Sequence, residues 1–245
     1  MTIRRFTWAA GTALLIAAGA CAPNPADDAP AAQVSSGPTV VAPSANPEVA
    51  LVAPVEEAAP DVAAAAVDGA AAVDGAAPVG VVALSGSIGF VASKITRTHD
   101  CVFSAWDGTL DPGDGTVSTA KLSFTVDVNT VGCDATAGGN ERLEKHLRSD
   151  SFFDVETHPA ATFVSTAIVE GGEAGATHTV TGDLTIRGIA RQVSFPATVE
   201  VAEKTVKAKA EFSVNRQDWE IRYPGQPDDL VRDNVLIKID LAGEA

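Results

Sequence analysis

From residue 22 to residue 83 the sequence has no aromatic residue and no Lys, Arg or His. It is built mainly of Ala, Pro, Val and Gly with eight acidic residues. Such a segment buries too little apolar surface to offset the roughly 1–2 kcal/mol of backbone entropy lost by each ordered residue. We therefore predict a disordered tether over residues 21–83, and one folded domain over residues 84–245.

Basic residues are scarce in the whole chain. The net charge of −15 divides into +2 for residues 1–20, −8 for the tether and −9 for the remainder. Binding to nucleic acid needs a basic footprint, so we expect no nucleic-acid partner. An acidic surface also disfavours adhesion to anionic headgroups, so any membrane attachment should come from a lipid anchor.

Signatures of catalysis are missing as well. The sequence contains no HExxH, no nucleophile elbow and no His or Cys spacing typical of a metal site. An enzyme hypothesis would have to use the histidines and their acidic neighbours: His99, His146, His158 and His178 beside Asp100, Asp150 and Asp154. Histidines placed this way are typical of surface or rim positions, and we predict no catalytic residue, cofactor or metal.

The N-terminus has the pattern of an export signal. Two arginines precede an apolar run from residue 9 to residue 18, which is shorter than the ~20 residues needed to span a bilayer. Small residues then lead into Cys21, as in the lipobox of bacterial lipoproteins, although Ala18 stands where Leu is usual. We predict a signal peptide over residues 1–20 and acylation of Cys21. The alternative is an ordinary secretory signal followed by a chance cysteine.

Beyond residue 84 apolar residues recur at every second position, the period of a half-buried strand. Leu122, Phe124 and Val126 alternate with polar residues, and four later segments repeat the pattern. With three less regular segments, this predicts eight strands joined mostly by short Gly-, Pro- or Asp-rich turns. Eight strands closed up-and-down leave room for one small ligand. A β-sandwich is the alternative that periodicity leaves open.

One short helix is predicted between the third and fourth strands. Asn140 is a good N-cap, and Leu143 and Leu147 lie on one face of the following turns. We expect this helix, with the two phenylalanines after it, to cover one end of the barrel. The inward phase of the strands and this cover predict an apolar cavity lined by Phe90, Phe103, Phe124, Phe152, Phe153, Phe163, Ile186, Phe195, Phe212 and Trp219. Taken one at a time, these residues could equally fill a solid core.

Four motifs in order carry a family resemblance. They are SKITRTHDCVFSAWDGTL at 93–110, HLRSDSFFDVETHPAATFVST at 146–166, VTGDLTIRGIARQVSFPATV at 180–199 and NRQDWEIRYPGQPDDLVRDNVLIKIDL at 215–241. In these motifs the sequence resembles the YceI-like family of lipocalin-like, polyisoprenoid-binding periplasmic proteins. The resemblance implies an eight-stranded antiparallel barrel around an apolar channel that holds an isoprenoid chain, often that of a quinone.

Two cysteines depart from the family pattern. Cys101 stands where small residues are common, and Cys133 is also atypical. In an oxidising compartment such a pair suggests a disulfide. If the strands form a simple hairpin, Cys101 lies opposite Thr125 or Val126, so the expected geometry neither secures nor excludes the bond.

The residues predict non-catalytic binding in an apolar cavity, and the resemblance implies carriage or storage of a polyisoprenoid or quinone-like lipid in the bacterial cell envelope. The protein would be lipid-anchored and face the periplasm, or be soluble in the periplasm or secreted. The competing hypothesis is a protein-binding envelope stress module that uses the loop of residues 215–233, which is rich in Trp, Tyr, Pro and Arg. Exposure of Trp219 would favour that hypothesis, and its burial would favour a flap packed on the barrel. The sequence leaves the oligomeric state open.

Overall fold

A computed structural model describes residues 22–35, 80–202 and 205–244. The predicted signal peptide, Cys21 and residues 36–79 of the expected tether lie outside the described residues. The described residues contain one α-helix, α1, at Glu141–Arg148. Their strands are β1 Gln33–Ser35, β2 Val82–Ser93, β3 Thr98–Phe103, β4 Trp106–Asp111, β5 Lys121–Asp127, β6 Val131–Cys133, β7 Ala160–Glu170, β8 His178–Ile186, β9 Ile189–Ala202, β10 Thr205–Asn215, β11 Gly225–Gln226, β12 Asp229–Leu230 and β13 Asn234–Glu244.

The strands close into an antiparallel barrel. β3 with β4, and β5 with β6, each act as one bent wall strand, so eight wall strands surround the interior. Neighbours along the chain pair with one another from β7 to β10, and β13 pairs with both β10 and β2, which closes the wall. The predicted eight-stranded barrel is therefore confirmed, and the sandwich alternative is excluded.

Alternation along the strands sets which side chains fill the interior. On β5, Phe124 and Val126 are buried while Thr125 and Asp127 are exposed. Neighbouring strands continue the layer, because Phe124 lies opposite Phe163 across the ladder to β7. The hydrophobic effect thus orients each strand through its period of two.

A glycine allows the first wall strand to approach the last. Gly86 of β2 has φ of +128°, and a Cβ there would lie 2.0 Å from the carbonyl oxygen of Asp240. Only glycine fits such a position. β2 begins at Val82, which is buried and opposite Leu110, so this wall strand starts two residues before the predicted boundary at residue 84.

The helix lies where the sequence predicts it, between the third and fourth wall strands. The Asn140 side chain caps it by accepting a hydrogen bond from the Leu143 amide at 3.2 Å. We call the end of the barrel that carries α1, the turn at residues 94–97 and the loop at residues 216–233 the helix end. The opposite end carries the turns at residues 112–120 and 171–177 and is called the turn end. No helix in the described part of the chain is long and apolar enough to cross a membrane.

The prediction of a disordered tether is wrong for residues 22–35. These residues, the N-terminal belt, run around the outside of the barrel near the helix end. Ala26 is 2% exposed and packs on Val91 and Leu236, and Asn24 is 5% exposed. The belt needs no bulky side chain of its own, since its backbone groups are paired with those of the barrel.

The belt also completes the barrel wall. β9 and β10 pair with each other only near the turn end, from Thr198 and Lys209 outward. Towards the helix end the belt lies between them: β1 pairs with residues 192–194 of β9, and the Ala32 amide donates to the Ser213 carbonyl at 2.8 Å. An open seam of strand edges would leave backbone groups unpaired, and the belt satisfies them.

Substitution in β1 should show that the belt belongs to the folded domain. The Val34 side chain packs against the core, whereas the adjacent Gln33 is exposed. Val34→Asp places a carboxylate against apolar side chains and is expected to lower the free energy of unfolding by about 1–3 kcal/mol. The matched control Gln33→Asp should stay within about 0.5 kcal/mol of wild type. Denaturant unfolding of both variants checks this, and equal melting of the two would mean that the belt is not docked.

Candidate ligand cavity

An apolar cavity of about 130 Å³ occupies the half of the barrel nearer the helix end. Each of the ten residues predicted to line a ligand cavity does line it. The structure therefore brings the predicted set together, and their contact with a ligand stays a prediction. Sequence reasoning missed other lining residues, chiefly aliphatic ones: Ile88, Val126, Leu147, Leu184, Val193, Val214, Ile221, Val235, Ile237 and Ile239. Strand phase would have found most of these; Leu147 lies on the helix and Ile221 in the loop.

A layer of four phenylalanines crosses the barrel below this cavity. Phe195 and Phe212 stack with ring centroids 4.0 Å apart, and Phe124 and Phe163 stack at 5.2 Å. Phe163 and Phe195 join the two pairs at 5.7 Å. Beyond the layer, towards the turn end, lies a second apolar cavity of about 90 Å³. The two cavities share Phe195 and Ile239 in their walls, so the aromatic layer divides the interior.

A glycine makes room for this layer. A Cβ at Gly182 of β8 would lie 2.5 Å from the ring of Phe163, inside the contact distance of real atoms. The small residue therefore lets the Phe163 ring, which is 1% exposed, pack directly on the neighbouring strand. The sequence analysis named Phe163 among the lining residues, and the contact explains how so large a ring fits.

The helix end of the cavity is covered by α1 and the residues after it. Leu147, Phe152 and Phe153 project into the cavity wall. The helix is fixed to β6 on one side, because Glu144 accepts a hydrogen bond from the Cys133 amide at 3.0 Å. Arg148 donates to the Val131 carbonyl at 2.9 Å. The cover is thus positioned by β6 rather than by the helix alone.

A disulfide joins Cys101 and Cys133, with Cα atoms 4.0 Å apart. The hairpin register assumed from the sequence is wrong, because Cys101 lies opposite Cys133 on β6 and not opposite Thr125 or Val126. A turn at residues 128–130 separates β5 from β6, so β5 pairs with β4 and β6 with β3. The bond ties β3 to the strand that holds the helix.

An outer groove of about 410 Å³ opens at the helix end beside the cavity. Cavity and groove share five lining residues, namely Phe90, Ala92, Leu147, Phe152 and Val231, so the two spaces adjoin, and this boundary is called the entrance below. The rest of the groove is more polar and includes Lys94, Arg97, Asn140, Arg142, His146, Tyr223 and Gln226. Apolar chain and polar headgroup would therefore find different surroundings on the two sides of the entrance.

The loop at residues 216–233 packs on the barrel. Trp219 is 0% exposed, and its indole N–H donates to the Leu184 carbonyl at 3.2 Å. Arg216, itself 6% exposed, pairs with Asp233 at 2.8 Å and donates to the Arg232 carbonyl at 3.1 Å. Burial takes the guanidinium out of water and lowers the pKa of Arg216, while Asp233 opposes this. These contacts make the loop a flap, and its main aromatic side chain is not available to a protein partner.

Each of the four histidines contacts a different set of residues. His99 Nδ1 lies 2.7 Å from an Asp134 carboxylate oxygen. Burial raises the pKa of Asp134, but hydrogen bonds from Asn140 and His99 outweigh it and hold that pKa below its usual value. His146 packs edge-on against Phe152 and Tyr223. His178 contacts Thr177, and His158 lies against Gly188.

The three aspartates that the enzyme hypothesis would need bond through their side chains to residues other than the four histidines. Asp100 pairs with Lys238 at 3.0 Å, and Asp154 accepts hydrogen bonds from Thr157 in its own turn. Asp150 accepts one from the adjacent Ser151. Within residues 22–35, 80–202 and 205–244 no group of three or more His, Cys, Asp or Glu side chains could hold a metal ion.

The fold and the cavity define the class to which this chain belongs: single-domain antiparallel β-barrels of eight wall strands with an apolar interior. The model of the YceI-like domain matches residues 81–243, and the chain belongs to this family. A UPF0312 protein from Pseudomonas fluorescens (strain SBW25) is 35% identical over 129 residues, which cover 50% of this chain and 64% of that protein. A UPF0312 protein from Pseudomonas putida (strain W619) is 33% identical over 151 residues, 57% of this chain and 74% of that protein. The chain thus spans just under two thirds of the first relative.

Solved structures share the fold. BcnA of Burkholderia cenocepacia matches with a TM-score of 0.55 and 25% identity, over 64% of this chain and 94% of BcnA. A polyisoprenoid binding domain from Saccharophagus degradans, implicated in plant cell wall breakdown, matches with a TM-score of 0.52. That match covers 67% of this chain and 98% of that domain at 15% identity, which relates the two folds only.

Proposed function

We propose that this protein binds an apolar isoprenoid lipid, a polyisoprenoid or a quinone, inside its barrel and carries or stores it without chemical change. The observation that carries the proposal is the 130 Å³ cavity with its wall of aromatic and aliphatic side chains. The family and the shared fold with a polyisoprenoid binding domain support it. The burial of Trp219 removes the main reason to prefer a protein-binding module.

The size of the cavity limits how much chain it holds. By the same measure a water molecule needs about 10–15 Å³, so a cavity of 130 Å³ has room for on the order of ten methylene-sized groups. Each buried methylene contributes about 0.8 kcal/mol, whereas association costs at least about 4 kcal/mol. Micromolar binding, about 8 kcal/mol net, therefore needs roughly fifteen buried carbons. A chain of this length exceeds the cavity, and the adjoining outer groove offers polar side chains for a headgroup.

A pair of tryptophan substitutions on β7 tests the cavity. The Ala161 side chain lines it, whereas the adjacent Ala160 is exposed and faces away. Ala161→Trp should fill the cavity and abolish uptake of farnesol, a fifteen-carbon isoprenoid alcohol, while costing less than the roughly 1–3 kcal/mol typical of overpacking a solid core. Ala160→Trp should bind farnesol like wild type.

Titration with farnesol and denaturant unfolding of the three proteins measure both quantities. Unchanged farnesol uptake by Ala161→Trp would place the ligand elsewhere, and no uptake by the wild-type barrel would refute the proposed function. Organic extraction of protein from its native envelope, followed by mass spectrometry, would identify the bound chain and its headgroup.

We also propose that the protein is exported and acylated at Cys21, which holds it on a membrane facing the periplasm. Small residues before this cysteine, at the end of an apolar run with basic residues in front, support the proposal. Cys21→Ser should release the protein from the membrane fraction or leave its signal uncleaved. Membrane retention with normal processing in that variant would refute the anchor.

A further inference from the structure

The first residues after Cys21 are fastened to the barrel. The Ala22 amide donates to the Ile95 carbonyl at 3.0 Å, and the Ala22 carbonyl accepts from Arg232 at 3.2 Å. Thr98 donates its hydroxyl to the Pro23 carbonyl at 3.2 Å. The buried Asn24 donates to the Asn234 carbonyl at 3.3 Å. The belt is therefore held from its first described residue, without a flexible stretch.

These contacts lie at the helix end, and two of their partners are sequence neighbours of residues that line the cavity or the groove. Ile95 follows Lys94, which lines the outer groove, and Arg232 follows Val231, which lines cavity and groove alike. Residue 21 is bonded directly to Ala22, so an acyl chain on it would start at the helix end rather than at the end of a long tether.

We propose that the N-terminal belt holds the acylated end next to the entrance, so that the helix end faces the lipid bilayer and the ligand passes directly between membrane and cavity. This inference rests on the proposed function and names the surface with which its site exchanges ligand. In this arrangement the membrane surface that carries the anchor covers the open side of the outer groove.

Orientation by the belt has a physical advantage. An isoprenoid chain that crosses water loses the favourable burial of about 0.8 kcal/mol per methylene, so exchange is fastest where bilayer and cavity adjoin.

Two labelled positions test the orientation in the full-length acylated protein. Cys101 and Cys133 are bonded and Cys21 would carry the acyl group, so an introduced cysteine is the free thiol for an environment-sensitive fluorophore. Lys145→Cys places it on the exposed face of α1 at the helix end, and Glu173→Cys places it in a turn at the turn end. In phosphatidylcholine vesicles with brominated acyl chains, we expect several-fold stronger quenching at residue 145 than at residue 173.

A linker variant separates the belt from the anchor. A Gly-Ser linker of about 20 residues between Cys21 and Ala22, with an r.m.s. span of roughly 25 Å, keeps the belt docked but frees the barrel. It should abolish the difference in quenching and slow the uptake of farnesol from the same vesicles several-fold. Melting temperature and farnesol binding in detergent solution should match wild type.

The outcomes distinguish this inference from the proposed function. Equal quenching at the two labels in the protein without the linker, or unchanged quenching and uptake with it, would overturn the inference. Vesicles that carry no protein because Cys21 is not acylated would overturn it too. A wild-type protein that shows oriented quenching but binds no farnesol in detergent solution would refute the proposed function and leave the orientation established.

Discussion

Replacing Cys101 and Cys133 together by Ala is expected to lower the free energy of unfolding by about 3–4 kcal/mol. The bond closes a loop with a sequence separation of 32 residues. The entropy that a cross-link of this length removes from the unfolded chain corresponds to about 3.7 kcal/mol at room temperature. Denaturant unfolding measures the change, which is a large share of the roughly 5–15 kcal/mol stability of a typical domain.

The effect should extend to the cavity, because the bond holds the strand to which the helix is fixed. Without it, β6 keeps only its short ladder with β3, and Glu144 and Arg148 lose a fixed partner. We expect weaker retention of farnesol in the double variant. Reductant should reproduce both losses in wild type and leave the variant unchanged. A variant that unfolds within about 0.5 kcal/mol of wild type would show that the bond contributes little.

Much of the barrel could be predicted because the patterns that specify it are local in the sequence. A period of two separates the inward Phe124 and Val126 from the outward Thr125, and the same rule holds along five strands. An N-cap asparagine followed by two leucines on one face is an equally local pattern, and α1 follows it. The sequence therefore predicted both the wall and its cover.

The N-terminal belt could not be predicted in this way. Its own residues are mostly Ala, Pro and Asp, and a composition of this kind indicates disorder. The cause of its order lies elsewhere, in the edges that β9 and β10 leave unpaired at the helix end. Backbone hydrogen bonds make the pairing there, and the few small side chains that pack beside them form no pattern that reports it.

The division of the interior is another feature that alternation does not specify. Strand phase places Phe195 and Phe212 inside the barrel, but whether two rings leave a through channel or stack across it depends on ångström-scale packing. The resemblance implied one channel, whereas the aromatic layer separates two cavities. Movement of these rings would be needed for one long chain to occupy both.

The belt, the disulfide and the flap all act at the helix end. The belt crosses β2, β13 and β10 there, the disulfide joins β3 and β6, and the loop at residues 216–233 packs over the same opening. The turn end carries the turns at residues 112–120 and 171–177, and in the first of them hydrogen bonds from Thr119 and Thr116 lower the pKa of Asp114 to about 2. Structural reinforcement therefore accompanies the entrance of the cavity, as expected if that end must stay shaped while ligand passes.

Trp219→Ala should be the most damaging change in the flap, at about 3–5 kcal/mol of unfolding free energy. The side chain is fully buried, lines the cavity, and donates its N–H to the Leu184 carbonyl. Its removal leaves a void next to the ligand site and loses the hydrogen bond to the Leu184 carbonyl.

Trp219→Phe is the matched control, because it keeps an aromatic ring in the wall and loses chiefly the hydrogen bond, at about 1 kcal/mol. We expect farnesol binding to survive in the Phe variant and to weaken strongly in the Ala variant, measured under conditions where both are folded. If the loop instead served a protein partner, Trp219→Ala would melt like wild type and bind farnesol normally. That result would contradict both the flap and its place in the ligand site.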